Sequence, residues 1–237
     1  MIKSIRIILC VSALSLVAGM ALAQQPSTKF AHAVERSKDA GRIISLLSVL
    51  PEEGIPKELL EKAKAIAVFP KVERETIYFT HMIQGYGVIS VQRDGAWTLP
   101  AFYQFSGAGY GNPFSEKDKY AVVMLFMNDE ALNAFEKGGV QMKDDNKSVA
   151  GPVGAIPAEQ AKEIGDASLL TYVYYNGKVK GVSYSKRFGL NPDNNINTPV
   201  YGMKGREVLT GKKIDPANLP AGISAYQEML QKYLPIH

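Results

Sequence analysis

Histidine, serine and cysteine are the residues from which a hydrolytic or metal-dependent site would be built, and their spacing in this sequence assembles none. His32, His81 and His237 are far apart and form no H-x-x-x-H pair, which helical zinc motifs require. Ser148 lies outside a G-x-S-x-G context, so it is not expected to be an activated nucleophile. The single cysteine is Cys10. The sequence therefore predicts no catalytic residue, no metal site and no cofactor.

Two further segments resemble ligand loops but lack required parts. The glycines from Gly107 to Gly111 are followed by Asn-Pro rather than by a helix, which a dinucleotide loop needs. Residues 193–197 (DNNIN) begin like a calcium loop, but Thr198 replaces the essential glycine and Lys204 the bidentate glutamate. We interpret residues 193–197 as a polar loop.

The N-terminus has the pattern of a secretory signal peptide. Two cations, Lys3 and Arg6, precede an apolar run, and Ala21-Leu-Ala23 forms an A-x-A cleavage site. Cys10 lies inside the apolar run after a leucine, which argues against lipid attachment. We expect residues 1–23 to be removed after Ala23 and the domain of residues 24–237 to be periplasmic or secreted, and peripheral on a membrane if it binds one.

Removal of two cations would lower the formal net charge from +4 to about +2, which is too small to indicate a nucleic-acid partner. The remainder reads as one α+β domain: a β-rich body of mostly antiparallel strands, curved or barrel-like, between two amphipathic helices. Asp94-Gly95 and Asn176-Gly177 are hairpin turns. The remaining predictions are helices at residues 30–50, from 56, at 130–137 and at 220–234, and strands at 66–69 (ended by Pro70), 76–80, 83–92, 97–109 and 120–127.

Glycines alternate along two of the predicted strands. Gly85 and Gly87 share one face, and Gly107 and Gly109 share another. Alternating glycines indicate close approach by another group. They form either a shallow floor for a ligand or, as we favour, a region of tight packing and curvature. The relative register of the two pairs depends on whether Pro100 produces a bulge.

Four segments, in order, resemble the SYLF domain family. They are IPKELLEKAKAIAVFP (residues 55–70), GYGVISVQRDGAWTLPAF (85–102), SVAGPVG (148–154) and VYG (200–202), and the resemblance covers about residues 33–202. It implies a non-enzymatic domain that binds membrane lipid, and in some relatives actin. Because the domain is predicted to be exported, an actin partner is not expected, and anionic phospholipid is the expected ligand. The alternative is a structural or partner-binding protein of the cell envelope with no lipid ligand.

The first helix is the predicted lipid-binding element. Interfacial helices combine an apolar face with cations that contact phosphates. The alternative is that this helix packs on the sheet with its charges solvated. The predicted lipid-binding residues are Phe30, Val34, Arg36, Lys38, Arg42, Ile44 and Leu47. The segment SVAGPVG is expected to be a structural corner, because Gly-Pro restricts the chain and glycine permits unusual backbone angles.

Overall fold

A computed structural model describes residues 28–50, 53–77, 80–108, 119–138, 148–157, 164, 169–184 and 188–236. Its helices are α1 (Thr28–Ser48), α2 (Lys57–Lys62), α3 (Asp129–Gly138), α4 (Asn194–Tyr201), α5 (Gly205–Leu209) and α6 (Ala225–Tyr233), with a 3₁₀ turn at Pro216–Asn218. Its strands are β1 (Ala65–Ile77), β2 (Thr80–Arg93), β3 (Ala96–Trp97), β4 (Ala101–Ala108), β5 (Tyr120–Phe126), β6 (Ser148–Ala150), β7 (Leu169–Tyr175), β8 (Lys178–Gly181) and β9 (Phe188–Pro192). The predicted α+β class with helices at both ends is confirmed. The predicted signal peptide lies outside the described residues.

The strands form a curled sheet in the order β6-β7-β5-β1-β2-β4-β9, with β3 paired to β2 and β8 to β7. Every described pairing is antiparallel except that of β6 with β7. Both predicted hairpin turns are present. Asp94 and Asn176 have φ of 49°, and the glycines that follow have φ of 76° and 79°, as a type I′ turn requires.

Pro70 does not end the first strand, contrary to the prediction. β1 continues to Ile77, and its register with β2 shifts between Val68 and Lys71. Proline has no N–H group to donate to a neighbouring strand, and a bulge is one of the few places in a sheet where this hydrogen bond is not needed. The bulge lies beside Gly87 of β2, because Val68 pairs with Val88 and Lys71 with Tyr86.

A second irregularity near Pro100 fixes the register of the two glycine pairs. β3 pairs Trp97 with Gln92, whereas β4 pairs Tyr103 with Gly87, so one extra residue has been inserted between them. Gly85 is consequently opposite Phe105 rather than Gln104. Gly107 of β4 therefore lies on the same face of the sheet as Gly85 and Gly87 of β2.

The two faces of the sheet are packed differently. Tyr86 lies on the face covered by α1, where the guanidinium of Arg36 is 4.6 Å from its ring centroid. We call this the helix face. The opposite face carries aromatic rings whose centroids lie 4.7 to 5.6 Å apart. These rings belong to Phe69, Tyr103, Phe105, Phe126, Phe135, Tyr184 and Phe188.

Residues 193–197 are not a polar loop, which corrects the sequence interpretation. They enter α4, and Asn197 is fully buried. Its side chain accepts a hydrogen bond from the Phe102 amide and donates to the Phe102 carbonyl, each at 2.8 Å. The asparagine side chain makes the two hydrogen bonds that a residue of a neighbouring strand would make, because its amide carries both a donor and an acceptor. Asn197 thus fastens α4 to β4.

The C-terminal helix is shorter than predicted and begins at Ala225. It packs against α1, where the Ser37 hydroxyl donates to the Ile223 carbonyl at 2.7 Å and accepts from the Tyr226 amide at 3.1 Å. The Tyr226 hydroxyl donates to the Ile66 carbonyl at 2.9 Å. α1, α6 and β1 are therefore joined through buried hydrogen bonds.

None of the helices in the described ranges combines the length and the apolar character needed to span a bilayer.

Candidate functional site

The apolar face of α1, which we predicted to contact lipid, lies mostly against the protein. Ile44 and Leu47 are each 3% exposed and belong to the core. Phe30 and Val34 are half-buried and pack on that core. Ile44 and Leu47 thus pack in the core, as in the alternative stated for this helix, and their contact with lipid stays a prediction. Interfacial insertion of this face would require α1 to leave the sheet.

The cations of α1 have different environments. Arg36 donates from Nη1 to Oδ2 of Asp193 at 2.7 Å, and both side chains are largely buried, at 20% and 11% exposure. Lys38 and Arg42 are exposed. The ion pair and the contact with Tyr86 occupy Arg36, so Lys38 and Arg42 are the predicted phosphate-binding residues of α1 that remain open to solvent.

A groove of about 380 Å³ runs between α1 and the β1–β2 hairpin, and its charge is predominantly negative. Lys71 lies 3.4 Å from a carboxylate oxygen of Asp39 and 3.7 Å from one of Glu35. The Asp39 carboxylate is the main cause that raises the pKa of Lys71, so this ammonium stays protonated. The charged lining is Glu35, Asp39, Glu73, Glu75, Arg36 and Lys71. Four carboxylates against two cations make this helix-face groove unsuitable for an anionic head group.

The glycine pair of β2 is explained by close packing. A Cβ atom added to Gly87 would lie 2.1 Å from the Val68 carbonyl oxygen, and one added to Gly85 would lie 2.6 Å from the Val72 side chain. Both contacts come from β1 beside its bulge. Gly107 is buried, and Gly109 lies outside the described residues. The floor for a ligand therefore has no support at Gly85 or Gly87, where the neighbouring strand fills the space.

The SVAGPVG segment forms a close crossing at the edge of the sheet. β6 ends at Ala150, and the Gly151 amide donates to the Thr171 carbonyl at 3.3 Å. A Cβ atom on Gly151 would lie 2.0 Å from the Tyr172 ring, and one on Gly181 would lie 2.0 Å from the Gly151 carbonyl oxygen. Gly154 has φ of 84° and donates to the Gly54 carbonyl at 2.9 Å. These contacts give the segment a structural role, as its composition predicted.

The β7–β8 hairpin bears a groove of about 490 Å³ that sequence reasoning did not identify as a site. It is lined by Val173, Tyr175, Asn176, Lys178, Val179 and Lys180. The register places Lys180 opposite Val173 and Lys178 opposite Tyr175. Apolar groups on β7 therefore face cations on β8. We call this set of six residues the hairpin groove.

The hairpin groove lies on the sheet face opposite α1. Lys180 is opposite Val173, which is opposite Val122 on β5, and Val122 is opposite Phe69 on β1. Phe69 shares its face with Gly87, since a Cβ atom on that glycine would meet the Phe69 ring at 2.7 Å. Because side chains alternate along a strand, Tyr86 and the helix-face groove are on the other side.

The hairpin groove also has the opposite charge. Lys178 and Lys180 are exposed, and none of the described residues that line the groove is acidic. Two residues along one strand span about 7 Å, which allows both ammonium groups to reach one phosphate between them. The sequence signal for this groove was the alternation of two lysines on β8, Lys178 opposite Tyr175 and Lys180 opposite Val173. They could not show that the space beside them stays open.

The described residues hold no group of three or more histidine, cysteine, aspartate or glutamate side chains close enough to bind a metal ion. Burial raises the pKa of the Tyr184 and Tyr201 hydroxyls above the usual value. The Tyr201 hydroxyl donates to the Pro100 carbonyl at 2.7 Å. Both phenols are neutral at physiological pH, and the Tyr184 ring packs against Phe105 and Phe188.

Comparison with known families confirms the resemblance drawn from the sequence. Residues 117–233 match the model of the Ysc84 family, which contains the SYLF domain and is described as "Las17-binding protein actin regulator". This description names binding and regulation rather than a reaction. The matched segment begins just before β5 and ends at the last residue of α6. It includes the hairpin groove and excludes α1.

Curated relatives support the same assignment. The chain is 30% identical over 136 residues to "LAS seventeen-binding protein 3" of Saccharomyces cerevisiae, in strain YJM789 and in strain ATCC 204508 / S288c. The alignment covers 56% of this chain and 29% of the yeast protein. The chain thus matches less than a third of the length of these relatives.

Proposed function

We propose that this chain, whose residues 117–233 match the Ysc84 (SYLF) family, is a non-enzymatic domain that binds anionic phospholipid at a membrane surface. The hairpin groove is the observation that carries the proposal. It joins an apolar strand edge to two exposed lysines, Lys178 and Lys180, in the part of the chain that matches the family. Anionic lipid has the complementary chemistry, a negative head group beside an apolar chain.

Binding through two lysines is expected to be weak and sensitive to salt. A lysine close to an anionic membrane contributes about 1 kcal/mol, and this attraction falls off within a Debye length of about 8 Å at physiological ionic strength. Burial of the exposed part of the Tyr175 side chain adds a contribution that salt does not screen. Peripheral, reversible association follows from these magnitudes.

The predicted signal peptide gives the proposal its location. Cleavage after Ala23 would place the domain in the periplasm or outside the cell, where it would meet the lipids of the envelope. Purification of the exported protein followed by mass spectrometry of its N-terminus tests this location. A mature chain that begins at Gln24 is expected, and retention of residues 1–23 would contradict it.

Vesicle flotation with the purified exported protein tests the lipid ligand. We expect it to float with vesicles that contain phosphatidylglycerol and to remain behind with pure phosphatidylcholine, and we expect 0.5 M salt to reduce flotation. Reversal of both lysines, Lys178→Glu with Lys180→Glu, is expected to abolish binding. The matched control is Lys212→Glu with Lys213→Glu, a second exposed pair of equal charge. Absence of flotation with anionic vesicles would overturn the proposal.

The family description favours a second candidate, an actin-directed or other protein-binding role. Cosedimentation with filamentous actin, under the same buffer conditions as the vesicle assay, separates the two. Binding to actin together with no binding to vesicles would favour the second candidate. If neither ligand binds, a stable protein partner recovered from the cell envelope would support the structural alternative.

A further inference from the structure

The two edges of the hairpin groove differ in chemistry in a way that a flat membrane contact does not require. The β7 edge contributes buried Val173 and half-buried Tyr175, and the β8 edge contributes Lys178 and Lys180. Directly opposed side chains in an antiparallel pair have Cβ atoms about 4.5–5.5 Å apart. The apolar and the cationic edges are therefore within the width of one small molecule.

The groove is also large enough for a ligand. Its volume of about 490 Å³ lies inside the range of about 300–1,000 Å³ that is typical of small-molecule sites. A flat surface patch with the same residues would attract a membrane but would not enclose part of a single lipid. The combination of volume and opposed edges is the basis of the inference.

We infer that the hairpin groove binds one anionic single-chain amphiphile, with its phosphate or carboxylate between Lys178 and Lys180 and the start of its acyl chain against the half-buried Tyr175. This inference rests on the proposed function and specifies its ligand. It assigns recognition to individual lipid molecules rather than to the charge of a membrane surface. The charge selects the head group, and the apolar edge excludes free phosphate as an equivalent ligand.

Calorimetric titration of the purified exported protein with lysophosphatidic acid, below its critical micelle concentration, tests the inference. Glycerol 3-phosphate supplies the head group without the chain, and lysophosphatidylcholine supplies the chain with a head group of no net charge. We expect saturable binding of lysophosphatidic acid at one site. Either comparison compound is expected to bind at least about tenfold more weakly, because glycerol 3-phosphate lacks the apolar chain and lysophosphatidylcholine lacks the net negative charge that the lysines attract.

Two variants locate the site. Lys180→Ala is expected to weaken binding of lysophosphatidic acid about tenfold. Tyr175→Ala is also expected to weaken binding of lysophosphatidic acid, while glycerol 3-phosphate stays a weak ligand. Lys212→Ala is the matched control. Circular dichroism must show that each variant is folded. Unchanged affinity in folded Lys180→Ala would overturn the assignment of the site.

The outcomes separate this inference from the proposed function. Flotation with anionic vesicles but no binding of monomeric lysophosphatidic acid would overturn the single-molecule site and leave membrane binding intact. Binding of the monomer without flotation would support the site and contradict binding to a membrane surface. Equal affinity for lysophosphatidic acid and lysophosphatidylcholine would overturn the role of the lysines.

Discussion

Arg36 shows how a residue typical of phosphate recognition is used inside the fold. Its guanidinium contacts the Asp193 carboxylate at 2.7 Å and the Tyr86 ring at 4.6 Å, and thereby joins α1 to α4 and to β2. Arginine suits this position because a planar guanidinium can stack on a ring while its N–H groups donate at the edge. Its neighbour Arg42, one and a half turns further along α1, is exposed.

We expect Arg36→Ala to lower the free energy of unfolding by about 1–3 kcal/mol, because Asp193 would keep its charge in a site that is largely buried. Arg42→Ala is expected to change it by less than about 0.5 kcal/mol. Urea denaturation measures both values. A double-mutant cycle with Asp193→Ala should recover much of the loss, and equal effects of the two single arginine variants would refute this account.

Asn197 is buried and holds α4 on β4, although the sequence predicted a polar loop at this position. Three hydrogen bonds hold it, since its amide nitrogen also donates to the Asp193 carbonyl at 3.0 Å. Asn197→Leu would leave the Phe102 amide unpaired, whereas the Phe102 carbonyl would keep the hydrogen bond that it accepts from the Asp193 amide at 2.9 Å. Leucine leaves less room for a replacement water than alanine would.

We predict that Asn197→Leu lowers the unfolding free energy by about 1–3 kcal/mol, which is the cost of one buried unsatisfied group. The exposed Asn195 on the same helix provides the control, and Asn195→Ala should change stability by less than about 0.5 kcal/mol. Chemical denaturation of both variants is the measurement. Similar midpoints for the two would show that the bonds to Phe102 contribute little.

At the scale of elements, the bulge in β1 and the glycines in β2 form one packing unit. The register shifts between Val68 and Lys71, and beside it the backbone atoms of Val68 and Phe69 leave no space for a Cβ atom at Gly87. A methyl group at position 87 would meet backbone atoms at 2.1 Å and 2.7 Å, and backbone atoms in the centre of a sheet cannot move aside.

Gly87→Ala is therefore expected to destabilise the domain by more than about 3 kcal/mol, or to prevent accumulation of folded protein. Gln84→Ala lies on the same strand but on its exposed side, and it should have little effect. Soluble yield and thermal unfolding of the two variants can be compared directly. A folded Gly87→Ala protein with an unchanged melting temperature would contradict the packing described for β1 and β2.

The elements also show what the sequence could predict. Asp94-Gly95 and Asn176-Gly177 specify their turns locally, because positive φ at both positions favours few residues, and both hairpins were predicted correctly. The course of β1 through Pro70 could not be predicted, because a proline tolerated at a bulge and a proline that ends a strand have the same local signature. Residues 193–197 form a helix because Asn197 has partners on β4, which lie 95 residues away in sequence.

The candidate site also depends on contacts between residues that are distant in sequence. The periodicity of α1 indicates that one of its faces is buried, but it does not identify the covering surface. That surface includes α6, whose Tyr226 amide donates to the Ser37 hydroxyl across 189 residues of sequence. A membrane and a distant helix select for the same apolar pattern, so the sequence favoured α1 as a lipid-binding helix. The hairpin groove depends on which edge of the sheet stays uncovered, and that is a property of the assembled fold.

For the molecule as a whole, the two grooves lie on opposite faces of the sheet and differ in charge. The helix-face groove has four carboxylates among its six ionic groups, whereas the ionic groups of the hairpin groove are Lys178 and Lys180. An anionic surface attracts the face that carries the hairpin groove and repels the helix-face groove. The protein should therefore bind with a defined orientation, with the hairpin toward the lipid and α1 away from it.

Lysine footprinting on the native protein tests this orientation without any substitution. Acetylation with a short pulse of reagent, read by mass spectrometry, reports the access to each ammonium group. With phosphatidylglycerol vesicles present, we expect slower acetylation of Lys178 and Lys180 and an unchanged rate at Lys38, which is exposed on α1. Phosphatidylcholine vesicles are the control and should protect none of the three. Protection of Lys38 without protection of the hairpin would reverse the orientation and return the lipid contact to α1.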